Sequence, residues 1–275
     1  LTGCFAESFK VADSASETGQ EKNKYLAERV ESPLVTRITL VIGTIITLVA
    51  LTWAIDFWLD MGFTWYDEQA MVGCLGLSFG IIFIRYPMQL GTERHTIPWY
   101  DIILALAGMG GALYFIVIYD AIAENPYAMR PKAFIVGLLL IPLVWESLRR
   151  TAGWSLTIVF SVFLAYAFVG HYMPGMLQGV EQKSIDLIAF MGTSEVALIG
   201  LPLKIIVLTV VLFIWMGQML LYTGASEWFT DLSAAMMGRS RGGSAKIAVV
   251  ASSLFGSISG SAVSNVASTS VITIP

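Results

Sequence analysis

Hydroxyl, amide and glycine residues crowd one apolar stretch of the 275-residue sequence, FGSISGSAVSNVASTSVITIP, from Phe255 to Pro275. Ser257, Ser259, Ser261, Asn265, Ser268 and Thr269 supply neutral oxygens there, and Gly260 places a flexible backbone point among them. Unwound backbone and hydroxyl oxygens of this kind suit Na+, a hard cation. No Asp, Glu or His occurs between Lys246 and Pro275, so this stretch holds no titrating carboxylate for proton coupling.

The elements that must position these oxygens are short. KIAVVASSLFGSI, from Lys246 to Ile258, spans only about 20 Å as a helix, against a hydrocarbon core of roughly 30 Å. SGSAVS follows, and the chain then resumes an apolar course through Asn265 to Ile274. Two limbs meeting at a polar tip describe a re-entrant hairpin over about 245–275, entered from the side that carries Arg239, Arg241 and Lys246. In such a hairpin the carbonyls ending the first limb face a cation, and the free N–H groups opening the second face an anion. A single tilted span whose small residues form a close-packing face is the competing arrangement, and the residues alone leave both open.

Composition fixes the surroundings. The chain is 56% hydrophobic and 13% charged, outside the soluble range. Apolar runs long enough to cross a bilayer are expected at about 37–58, 68–85, 100–119, 133–148, 154–172 and 203–222. This is an all-α, polytopic membrane protein. Residues 1–33 read as a polar cytoplasmic tail, 34–150 as a four-helix membrane scaffold, and 151–275 as a differently patterned membrane segment that the basic pair Arg149 and Arg150 precedes. The start at Leu1 and the stop inside an apolar run read as a fragment.

Orientation follows from the basic residues. With the N-terminus inside, Lys10, Lys22, Lys24, Arg29, Arg37, Arg85, Arg94, Arg149, Arg150, Arg239, Arg241 and Lys246 are cytoplasmic. Arg130, Lys132, Lys183 and Lys204 fall on the other side, a division of 12 against 4 that puts the N-terminus in the cytoplasm. The stretch DFWLDMGFTWYDEQ then faces outward, with Trp58, Trp65 and Tyr66 as interface anchors. In SEWFTDLSAAMMGRSRGG, Trp228, Leu232, Ala235 and Met236 share a helical face suited to the membrane surface.

FGSISGSAVSNVASTSVITIP resembles the signature of the large membrane subunit of tripartite ATP-independent periplasmic (TRAP) transporters. SRGGSAKIAVVASSLFG and IWMGQMLLYTGASEWFTDLSAAMMGRSRGG extend the resemblance. Four spans, a basic pair and then GWSLTIVFSVFLAYAFVGHYMPG resemble the fused permeases of that family, the type served by TAXI-type binding proteins. The likeness is specific over Arg149 to Pro275 and architectural over the first four spans.

The resemblance implies a sodium-coupled elevator in the bacterial inner membrane, with 151–275 as the start of the mobile transport domain. A soluble periplasmic protein delivers a small organic acid anion, and no nucleic acid or cofactor takes part beyond Na+ as coupling ion. The family's ion and substrate site maps onto Ser259, Gly260, Ser261, Ala262 and Asn265, with Na+ at Ser259, Ser261 and Asn265. Ser264 stands where the family pattern has Ala, and Ser270 where it has Gly.

Other candidates are weaker. GSISGS invites comparison with an intramembrane serine protease, but Ser257 occupies the first glycine position of the G-x-S-G turn, and G-x-S-x-G fails at Ile258. A purely structural membrane scaffold is the other alternative. Glu146 lies within a span, three and four residues before Arg149 and Arg150, and is expected to pair with them. Glu195, in the segment SIDLIAFMGTSEVALIGLP that Gly192, Gly200 and Pro202 break, reads either as a gate or contact for the periplasmic partner or as a wetted interfacial charge. GLSFG, from Gly76 to Gly80, has the spacing of a close helix contact.

Overall fold

The computed structural model describes residues 33–62, 65–88, 97–125, 128–175, 178–238 and 242–259. All regular structure among them is helical. Six segments have the length and hydropathy to cross a membrane: Pro33–Ala54, Asp67–Arg85, Trp99–Glu124, Arg130–Ala152, Trp154–Tyr172 and Leu201–Leu220. The chain divides into two compact units, one over residues 22–205 and one containing 206–275.

In the first unit, α1 (Pro33–Ala54) and the short α2 (Phe57–Asp60) precede α3 (Asp67–Arg85) and α4 (Trp99–Glu124). Then come α5 (Arg130–Ala152), α6 (Trp154–Val169), α7 (Ser184–Thr193) and α8 (Leu201–Ile205). The core joins Met71, Phe79 and Phe83 of α3 to Phe115 and Tyr119 of α4 and to Val136 and Leu140 of α5. Both α4 and α5 run several residues past the apolar stretches expected from sequence, since their polar ends continue the helix beyond the hydrophobic run.

Lipid tails give no hydrophobic drive for helix association, so backbones must approach closely. Glycines permit this at two seams. A Cβ on Gly76 would lie 2.3 Å from that of Ala112, and one on Gly108 would lie 2.7 Å from that of Phe79. The GLSFG segment thus serves the α3–α4 contact, as its spacing suggests. At the second seam a Cβ on Gly192 would fall 2.2 Å from Gly137 Cα, and one on Gly137 2.2 Å from the Ile188 carbonyl oxygen. Gly192 therefore does not break its segment: it lies inside α7 and presses that helix against α5. The break comes after it, where Leu198 N–H bonds back to the Met191 carbonyl and Gly200 leads into α8.

Hydroxyls inside these helices return to their own backbone, which spares them an unpaired donor in hydrocarbon. Thr39 donates to the Val35 carbonyl, Thr44 to Leu40 and Ser78 to Cys74. Between α5 and α6 the chain turns at Gly153, whose φ of 77° disfavours a side chain. Trp145 Nε1 donates to Ser161 Oγ across that pair at 2.8 Å.

The second unit begins with a π-helical turn at Ile206–Val210, followed by α9 (Val211–Tyr222), α10 (Ala225–Met237) and α11 (Gly243–Ser259). Phe229 of α10 meets Phe255 of α11 edge to face at 6.4 Å, and Ser233 is fully buried beside them. The stripe of Trp228, Leu232, Ala235 and Met236 faces away from this seam, with Trp228 and Met236 about 60% exposed.

Candidate functional site

Of the residues expected at the ion site, Ser257 is the one whose side chain is described. It lies near the end of α11, exposed, with its hydroxyl donating to the Leu254 carbonyl at 2.8 Å. The proton is thus directed into the helix, while the lone pairs remain free to accept or to ligate. Ser259 is the last residue of α11, and its side chain lies outside the described residues, as do Gly260, Ser261, Ala262, Asn265, Ser268 and Thr269.

Two charged clusters lie at opposite ends of the α3–α4–α5 bundle. The first joins the end of α3, the start of α4 and the end of α5. Arg150, with a side chain 0% exposed, reaches Asp101 at 2.7 Å and Glu146 at 2.7 Å, and donates to the Tyr86 carbonyl at 3.1 Å. Arg149 grips both oxygens of Glu146, at 2.7 and 2.8 Å, and donates to the Met88 carbonyl at 3.0 Å. The guanidiniums lie over aromatic rings, Arg150 on Phe83 at 5.0 Å and Arg149 on Trp154 at 5.6 Å. Among the described residues Arg150 Nη2 has no hydrogen-bond partner, and the Phe83 face is the group beneath that guanidinium. The i,i+3 and i,i+4 pairing of Glu146 follows its sequence spacing. Asp101, forty-nine positions from Arg150, carried no such local signal.

The second cluster surrounds a recess of about 1080 Å³ at the other end of the bundle. The start of α3, the end of α4, the start of α5, residues 181–183 and α7 with the turn after it form its walls. Four carboxylates line it, Glu68, Glu181, Asp186 and Glu195, against the cations Arg130 and Lys183. Arg130 pairs with Asp186 at 3.2 Å, and Tyr119 lies on the same lining as Glu68. Gln69 secures one wall: Nε2 donates to the Ile116 carbonyl and to Asp120, while its oxygen accepts from Tyr66 N–H. Lys204 of α8 pairs with Asp67, which also accepts from Trp53 Nε1. Glu195 is exposed on this recess. The acidic and aromatic DFWLDMGFTWYDEQ stretch was the sequence signal for this end, though nothing in it foretold that residues 181–196 would close the wall.

Comparison with curated proteins and with solved structures gave no match. Residues 139–275, from within α5 to the end, match the family model described as Tripartite ATP-independent periplasmic transporter, DctM component. Over that segment, on a chain whose described residues include six helices able to cross a membrane, this protein belongs to the TRAP transporter permease family and is a multi-pass membrane transport component rather than an enzyme.

Proposed function

We propose that this permease takes up a small organic acid anion with Na+, the anion being delivered by a soluble periplasmic binding protein of the TAXI type. The observation that carries the reading is the family match over residues 139–275. Residues 34–150 act as the static scaffold, and 151–275 as the start of an elevator-type transport domain, whose helices up to 205 stay packed with the scaffold in one compact unit while the part from 206 on begins the moving portion; the protein is held in the inner membrane with the N-terminus in the cytoplasm. The division of basic residues supports that orientation.

The hairpin over about 245–275 holds the ion. The helix α11, described as far as Ser259, supplies the first limb of that hairpin. Its terminal carbonyls place negative potential at the tip, and the Ser257 lone pairs add to it. Ser259, Ser261 and Asn265 complete the Na+ shell, with Ser268, Thr269 and the Gly260 backbone toward the anion. Neutral ligands leave the coupling to Na+, since no carboxylate in the hairpin takes up a proton.

The test uses the full-length permease in liposomes with Cys4 and Cys74 replaced by Ala and Ser261→Cys introduced. Labelling of that cysteine by a membrane-impermeant maleimide is expected to slow in Na+ relative to K+. Equal labelling in both ions removes Na+ from this position. Absence of labelling in either, with Ser244→Cys reacting as a control, replaces the hairpin by a packed span. Solute uptake driven equally well by Na+ and K+ gradients would overturn the coupling itself.

A further inference from the structure

We infer that the acid-lined recess over Glu68, Glu181 and Glu195 is the seat for a Lys- or Arg-bearing loop of the soluble binding protein, an inference that rests on the transport reading above. The argument begins with sign. Four carboxylates and two cations line the recess, and the Arg130–Asp186 pair neutralises one of each. Among the described lining residues Glu68, Glu181 and Glu195 then stand against Lys183, and the nearby Lys204 is matched by Asp67, which leaves an excess of negative charge. An organic anion is the wrong sign for that lining, and so is an anionic lipid headgroup. The occupant that matches is cationic.

Size and surface then favour a protein loop over a small ion. About 1080 Å³ is room for several side chains, slightly more than ordinary small-molecule pockets enclose. Phe190 is 50% exposed and Val196 81% exposed on the same walls, apolar surface that a docked protein would cover. Tyr66 and Phe190 offer aromatic faces to a guanidinium, the group enriched with aromatics at protein interfaces. The walls are also held firmly. Gln69 ties α3 to α4, and the Gly137–Gly192 contact holds α7 on α5. A preformed seat spares the ordering cost of docking.

Position agrees. The recess is built from the start of α3, the end of α4 and the start of α5, the bundle end away from Arg149 and Arg150. In the N-inside orientation that end faces the periplasm, where the binding protein arrives. Glu181 and Glu195 make no ion pair among the described residues, so they are available to a partner.

The experiment measures association of the purified cognate binding protein with full-length permease in nanodiscs, at low and high KCl. Glu181→Lys combined with Glu195→Lys is expected to slow association roughly tenfold and to flatten its salt dependence, because charge at a rim acts mainly on encounter. Glu181→Gln with Glu195→Gln gives the same direction with a smaller effect, and does not depend on the reversed charges folding normally. Glu227→Lys, the same change of charge on α10, should leave association unchanged. Recovery of the rate by a Lys→Glu or Arg→Glu change in the partner loop identifies the counterpart. Unaltered association in both recess variants overturns the seat while leaving partner-dependent transport intact. Equal slowing by Glu227→Lys overturns it as well, because general steering then accounts for the effect. A wild-type permease that transports without any binding protein instead defeats the transport reading, and the seat with it.

Discussion

The two ends of the α3–α4–α5 bundle carry the same residue types and use them in opposite ways. At one end Arg150 is sealed from solvent, and it and Arg149 direct hydrogen bonds to Asp101, Glu146 and two carbonyls that end α3. At the other, Arg130 and Asp186 keep 46% and 33% of their side chains exposed, and further carboxylates line an open recess. Burial separates the two roles where charge count does not. A dry, closely paired cluster locks helices together, because losing one partner leaves a buried charge poorly compensated. A wet, unbalanced one costs little to maintain and remains free to meet something else.

The largest effect is expected where the comparison is sharpest. Arg150→Ala would take from Asp101, 2% exposed, its Arg150 partner at 2.7 Å and would unpin the end of α3 from α5. Breaking a buried pair from one side costs about 3–5 kcal/mol. The expected outcome is a large fall in melting temperature and in monodisperse yield in detergent. Arg150→Lys should restore only part of it, since an ammonium lacks the planar fork that serves Glu146, Asp101 and the Tyr86 carbonyl together. If Arg150→Ala melts like the wild type, the dry end is not a lock and the contrast fails.

A middle effect is expected at the seam that supports the open end. A Cβ at Gly192 meets backbone at 2.2 Å, so Gly192→Ala must push α7 away from α5. Overpacking of this kind costs about 1–3 kcal/mol. Because α7 carries Asp186 and Phe190, the shift should also disturb the recess, seen as slower association of the binding protein. Gly43→Ala in α1 is the matched control: nothing lies within 4 Å of that Cβ, so it should be neutral or mildly stabilising. A neutral Gly192→Ala would mean that the recess wall does not depend on this contact.

What was legible in the sequence divides along the same line. The all-α membrane class and the spans were open to reading because hydrophobic runs and their polar ends are local. Glu146 with Arg149 and Arg150 was legible because three and four residues make one helical face. Asp101 was not, since its partner comes from another helix and only the packing of α4 on α5 brings them together. Gly192 was misread as a breaker for a related reason. A glycine that interrupts a helix and one that admits a neighbour look identical until the neighbour, here Gly137, is known. The recess needed four separate segments to converge, and of its acidic groups only Glu195 was singled out beforehand for its setting. The ion site was read from composition and resemblance, and in the described chain Ser257 is its one placed side chain.

The smallest effect is expected at the Arg130–Asp186 pair. It joins the start of α5 to α7 across the recess mouth, at 3.2 Å, with both side chains partly hydrated. An exposed pair of this kind contributes about 0–1 kcal/mol, and salt screens it further, over roughly 8 Å at physiological ionic strength. Arg130→Ala alone is ambiguous, because it also removes a cation from an acidic lining. The informative measurement is a double-mutant cycle with Asp186→Ala, run as melting temperatures at low and high KCl. The coupling should be small and should shrink with salt, whereas the Arg150 penalty should hardly change. A coupling at Arg130–Asp186 as large and as salt-resistant as that at Arg150 would show the recess to be a second lock, and would remove the physical ground for treating its carboxylates as available to a partner.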